Sequence, residues 1–152
     1  MSEATPCCIT TVSNFTELNF ALGIRAIVFI EEQACPFDEE FDTYDRIETP
    51  LATHLLVMQK NKPVATARIL YLDQDRVKLG RLAVLKAYRG QGIGKEMLEY
   101  MLNFVKKEGY SDICLNAQAH LSAFYEKSGF KGISELFDEA GIPHITMQYH
   151  RE

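Results

Sequence analysis

The residues best suited to chemistry lie between Val77 and Gly94, VKLGRLAVLKAYRGQGIG, where Gly90, Gly92 and Gly94 alternate with Arg89, Gln91 and Ile93. Glycines at this spacing let the backbone approach a ligand closely while successive amides point at anionic oxygens. A helix starting beyond them adds a positive dipole end, and Arg89 adds a full charge. The pattern points to a phosphorylated cofactor. Two common phosphate motifs do not fit it. A P-loop has four residues between its glycines and Ser or Thr after its Lys, whereas Gly90 and Gly94 flank three residues and Glu96 follows Lys95. The dinucleotide fingerprint is GxGxxG in a βαβ unit, whereas this loop is GxGxG after an expected meander. From the glycines alone, a tight strand-to-helix turn without a ligand stays open.

Other reactive side chains carry weaker signals. Cys7, Cys8, Cys35 and Cys114 form no CxxC pair and have no companion His spacing, so no metal site is expected. Cys114 sits in an apolar run and reads as a small buried hydrophobe, while Cys35 lies beside Pro36 in an acidic stretch that disfavours a thiolate. That stretch, residues 31–48, carries Glu31, Glu32, Asp38, Glu39, Glu40, Asp42, Asp45 and Glu48 against Arg46 alone. A charge run is most simply a solvated loop. Glu31 and Glu32 would nonetheless oppose the dipole at a helix C-terminus, a weak pointer to function. Arg25, Arg68 and Arg81 suit either an acceptor's anionic group or surface pairing. His54, His120, His144 and His150 are scattered and read as structural or surface residues.

The elements that must position these residues follow from periodicity. Residues 8–13 are a strand candidate, and Asn14 with Glu17 forms a capping-box signature for a helix reaching residue 29. Phe15, Leu18, Leu22, Ala26 and Phe29 recur at helical spacing as its core face, with Arg25 on the other. Residues 53–60 and 63–72 read as a hairpin turning at Asn61 and Lys62, followed by a third antiparallel strand over 76–86. Met97, Leu98, Met101, Phe104 and Val105 mark a helix over 94–107, with Gly109 as its stop. A strand over 112–117, a short helix over 121–127 and strands over 130–137 and 144–150 complete the chain. The order βαβββαβαββ predicts an α/β (α+β) fold, with helices covering a mixed sheet.

At 152 residues, 47% hydrophobic and 24% charged, one globular domain spanning 1–152 is expected. A net charge of −5 argues against nucleic acid as a partner. The first ten residues lack a basic region followed by an apolar one, and no apolar run is long enough to span a bilayer. The expected location is cytoplasmic, with no membrane partner.

Arg89-Gly90-Gln91-Gly92-Ile93-Gly94 after Leu82-Ala83-Val84 resembles the acetyl-CoA signature [R/Q]xxGx[G/A] of the GCN5-related N-acetyltransferases (GNAT). Leu115-Asn116-Ala117-Gln118, Phe124-Tyr125-Glu126-Lys127, Gly129-Phe130, Gly141-Ile142-Pro143-His144, Val28-Phe29 and Glu32-Gln33 resemble that family's ElaA/YjcF-like branch. The resemblance covers nearly the whole chain. It implies a mostly antiparallel sheet splayed at the cofactor site, with the coenzyme A pyrophosphate on the amides of residues 89–94. Pantetheine would pair with Leu82, Ala83 and Val84 like an added strand, and the thioester would sit between Val84 and Asn116. The Val84 amide would hold the oxyanion and Asn116 the pantetheine amides. Tyr125 matches the tyrosine that donates to the departing thiolate, and Glu32 is the first candidate for the base. The implied reaction is direct acetyl transfer from acetyl-CoA to a primary amine of a small molecule or protein; the alternative is a non-catalytic acyl-CoA-binding or sensor module. The resemblance also leaves a homodimer open.

Overall fold

The computed structural model describes residues 8–150. Cys7 and the leader reading of the first residues fall outside that range. The chain forms β1 (Cys8–Thr11), α1 (Phe15–Arg25), a π-helical segment (Ala26–Glu32) and α2 (Phe37–Glu40). It continues with β2 (Ala52–Gln59), β3 (Lys62–Tyr71), β4 (Arg76–Val84), α3 (Ile93–Lys107) and β5 (Asp112–Gln118). The last elements are α4 (Ser122–Glu126), β6 (Phe130–Gly132), β7 (Phe137–Glu139) and β8 (Ile142–Tyr149). One sheet runs β1-β2-β3-β4-β5-β8-β6, with β7 also on β8. Among the described residues every pairing is antiparallel except β4 with β5.

Strand alternation sorts the sheet's two faces. Leu55 and Val57 of β2 join Met97, Leu98, Met101 and Val105 of α3 in the main core, while Leu56 packs with Ala21, Ile24 and Val28 in a second cluster. Helices therefore cover both faces, as the sequence predicts. The hairpin and the meander also form where expected. Its turn is Lys60-Asn61, both at positive φ, one residue earlier than expected. The expected strand over 130–137 is instead two short strands. Between them the Thr146 amide donates to Ser134 Oγ at 2.9 Å, so a side chain replaces a ladder carbonyl.

The first helix differs most from expectation. Asn14 caps it, accepting from the Glu17 amide at 2.9 Å, but the Glu17 carboxylate takes the Ser13 amide and hydroxyl rather than Asn14's own amide. Its buried side is Leu18, Ala21, Ile24 and Arg25, while Phe15 is 75% exposed. Arg25 is drawn inward because the acidic stretch is not a solvated loop. Its Nε donates to Glu40 at 2.8 Å, and its terminal nitrogens bind Asp45 and the Glu40 carbonyl. Arg68 binds Asp42 and Asp45 from β3. Arg25 and Arg68 are thus buried and committed within the protein, available neither to an acceptor nor to surface pairing. His54 is buried beside them, with Nε2 donating to the Tyr44 carbonyl at 2.8 Å.

Candidate active site

The site begins where β4 leaves β5. Their parallel pairing ends at Leu79 opposite Leu115, although β4 runs on to Val84 and β5 to Gln118. The cause is a bulge: Thr66 faces Ala83 and Arg68 faces Gly80, so Arg81 and Leu82 together oppose Ala67. Arg81 takes φ +52°, a left-handed conformation costing a non-glycine residue about 1 kcal/mol. It is held there by Glu40, whose carboxylate lies 3.1 Å from Nε and whose carbonyl accepts from Nη2 at 3.0 Å. The Arg25 and Glu40 network thereby reaches the strand that splays.

Beyond the bulge, the Leu85 amide donates to the Val64 carbonyl at 2.9 Å. Main-chain groups alternate along a strand, so those of Val84 and Leu82 turn from β3 toward the gap. A cavity of about 520 Å³ fills that gap and reaches both faces of the sheet. Leu82, Asn116 and Tyr125 line it together, as the sequence expects, whereas Val84 lies outside its lining. Asn116 Oδ1 accepts from Thr146 Oγ1 at 2.9 Å, which leaves its amide nitrogen as a donor. At the rim, Gln118 on β5 donates to Gln33 beside the π-helical segment at 2.8 Å.

The glycine loop joins β4 to α3. Gly90 and Gly92 both adopt φ +83°, and Gly92 is the N-cap of α3 with no side-chain hydrogen bond. Unlike α1, this helix presents its first amides without a side-chain partner, which suits a phosphate. A Cβ built on Gly92 meets nothing within 4 Å, so substitution there acts through the backbone. Gly92→Ala should lose about 1 kcal/mol in urea unfolding and weaken coenzyme A binding in calorimetry. Unchanged stability and affinity would mean that the left-handed turn is dispensable.

Arg89 spans loop and strand. Its Nε donates to the Val84 carbonyl at 2.9 Å, and its Nη2 contacts both Glu32 oxygens at 3.0 and 2.8 Å. Glu32, expected near the reacting amine, is instead engaged by Arg89 of the glycine loop and does not line the cavity. An ion pair this exposed is worth about 1 kcal/mol or less, so a pyrophosphate can take the guanidinium from it.

Tyr125 packs edge-on against Phe124 and Phe130, and burial pushes its hydroxyl pKa up to about 12. Cys35 also lines the cavity, but burial, followed by the charges of Glu40 and Glu39, raises its thiol pKa and keeps it a poor nucleophile. Asp138, Glu139 and Glu39 bring further carboxylates to the wall.

Residues 28–151 match the family model described as an acetyltransferase (GNAT) domain. The chain belongs to the GNAT acetyltransferases. It is 36% identical to protein ElaA of Escherichia coli over 87% of this chain and 86% of that protein. It is 35% identical to YjcF of Bacillus subtilis, named an uncharacterized N-acetyltransferase, over 88% of this chain and 93% of that one. The crystal structure of Escherichia coli ElaA covers 95% of this chain and 100% of its own at a TM-score of 0.86 and 31% identity. An aminoglycoside 6'-N-acetyltransferase complexed with coenzyme A shares the fold, at a TM-score of 0.75 and 16% identity over 93% of this chain and 95% of that one. This GNAT domain thus brings Leu82, Asn116 and Tyr125 to one cavity, leaves Ala83 and Val84 outside its lining, sends Glu32 to the loop, and adds His144 on β8, which sequence reasoning left without a role. Its only prior signal was a place in the Gly141 to His144 motif. Among the described residues no helix is long and apolar enough to cross a membrane.

Proposed function

We propose that the protein transfers an acetyl group from acetyl-CoA directly to a primary amine, with no covalent enzyme intermediate. The observation that carries this reading is the edge of β4 beyond Leu79, which no longer pairs with β5, borders the cavity at Leu82 and runs into the uncapped glycine turn of α3. The pyrophosphate lies on the amides of residues 89–94 with the Arg89 side chain, and pantetheine pairs along Leu82 to Val84. The aminoglycoside enzyme of the same fold, in complex with coenzyme A, supports this cofactor.

Because the cavity reaches Leu82 and not Val84, the Leu82 amide is better placed to hold the oxyanion, and Val84 is left to the pantetheine arm. The amine enters from the face bearing the carboxylates. Its nitrogen attacks the thioester carbon, a C–N bond forms, the C–S bond breaks and Tyr125 donates a hydrogen bond to the leaving sulfur. Glu32 serves the loop by holding Arg89 until the pyrophosphate arrives.

The deciding experiment is acceptor-dependent thiol release from acetyl-CoA across a panel of small amines, polyamines and lysine peptides. Saturable release with at least one acceptor is expected. Saturable coenzyme A binding without any release would favour an acyl-CoA sensor instead.

A further inference from the structure

We propose that His144, facing Glu139, is the group that receives the ammonium of the acceptor and takes its proton. The inference rests on the acetyltransferase reading and names the acceptor side of the same site. His144 lies on β8 opposite Gln118 of β5 and Phe137 of β7, two residues from Thr146, which pairs with Asn116. Cross-strand partners share a face, so His144 stands on the side of the sheet that carries Asn116, and it lines the same cavity as Asn116 and Tyr125.

Its hydrogen bonds decide its chemistry. Nδ1 lies 2.7 Å from the Ile142 carbonyl oxygen. A carbonyl only accepts, so Nδ1 carries the proton and the neutral ring presents a bare Nε2. That nitrogen faces Glu139 Oε2 at 3.4 Å. Two acceptors opposed in this way repel unless a donor or a proton stands between them. An alkylammonium supplies both, donating N–H groups to Nε2 and to the carboxylate. The charged and titratable groups that line the cavity with His144 are Asp138 and Glu139 on β7, Glu39 and Glu40 on α2, Cys35 ahead of α2, Lys78 and Arg81 on β4, and Tyr125 on α4. Arg81 is committed to Glu40, so the wall is acidic and favours a cationic amine over an anionic acceptor.

The proton balance closes. The ammonium N–H pair of electrons stays on nitrogen as its proton passes to His144 Nε2, and the freed amine attacks the thioester carbon. The second proton, released as the amide forms, matches the one the thiolate needs. The imidazolium then returns its proton to water through Glu139, which is 48% exposed.

His144→Ala should lower kcat/KM for the best amine of the panel by about 10²-fold or more and remove the acid limb of its pH profile, with coenzyme A affinity by calorimetry unchanged. Glu139→Gln, on an exposed edge strand, should give a smaller loss and move that limb, which keeps the idea testable if His144→Ala folds poorly. Variants that retain the parent rate and pH profile would overturn it, as would a matching loss of coenzyme A affinity. If the parent protein releases no thiol with any amine, the acetyltransferase reading falls by itself. Nitrogen-15 NMR of His144 during spermidine titration then decides the site: a shifted Nε2 resonance supports the ammonium pocket, and an unmoved one sinks it.

Discussion

Tyr125→Phe is expected to lower turnover about 10²-fold while leaving coenzyme A affinity within about 1.5 kcal/mol of the parent. The hydroxyl is removed from a partly buried ring held by Phe124 and Phe130, so the packing survives the change. Burial sets what the hydroxyl does. With a pKa of about 12 it stays protonated throughout the working pH range. Against a thiol near 8.5, complete transfer from the resting hydroxyl is uphill by roughly 3.5 units, on the order of 5 kcal/mol. In the proposed reaction Tyr125 is therefore a hydrogen-bond donor whose proton moves only as the C–S bond parts, which places its expected contribution at the lower end for general acids. The basic limb of the rate profile should accordingly be missing at the ordinary tyrosine value near ~10. Thiol-release kinetics read both effects, and turnover equal to the parent's would remove Tyr125 from the chemistry.

The second large effect is on stability. Arg25→Met should cost about 3–5 kcal/mol, because it leaves the buried carboxylates of Glu40 and Asp45 without their shared cation. That is a large share of a typical domain's total stability. Arg25→Lys should fall between the two, since an ammonium keeps the charge but cannot bridge both carboxylates with a planar fork. The pH dependence follows from the same contacts. Burial alone would raise the Asp45 carboxyl, but the hydrogen bond and charge of Arg25 outweigh it and its pKa is lowered. Its stabilisation is present above the unfolded carboxyl value near ~3.9 and is lost as pH falls through the folded one. His54 adds a step at higher pH. Burial lowers its pKa despite its bond to Tyr44, so stability also declines as pH drops below the unfolded imidazole value of about 6.5. Urea unfolding from pH 7 to pH 3 should show both declines in the parent and a weaker acid step in Arg25→Met. A loss under about 1 kcal/mol for that variant would mean that the network is dispensable.

The reach of Arg25 also links stability to the site. Glu40 sits between Arg25 and Arg81, and Arg81 is the left-handed residue of the β4 bulge. Disrupting the network frees that bulge, so Arg25→Met should weaken coenzyme A binding beyond what the unfolded fraction explains.

The elements and the glycine turn were legible from the chain because they are local. The 3.6-residue apolar rhythm of Met97 to Val105, the cap at Asn14, the alternation through β2 and β3 and the glycines at 90 and 92 depend on neighbours a few residues away. Their errors are local too: a turn one residue early at Lys60-Asn61, and a strand over 130–137 split by Ser134. Tertiary structure alone decided the rest, through partners far apart in sequence. Whether residues 31–48 form a solvated loop or a buried network depends on Arg25 and Arg68 meeting Glu40, Asp42 and Asp45. Glu32 answers to Arg89, 57 residues on. His144 gains a chemical meaning only when the fold of β7 against β8 sets Glu139 in front of it, since a charge's partner is chosen by distance in space and not by place in the chain.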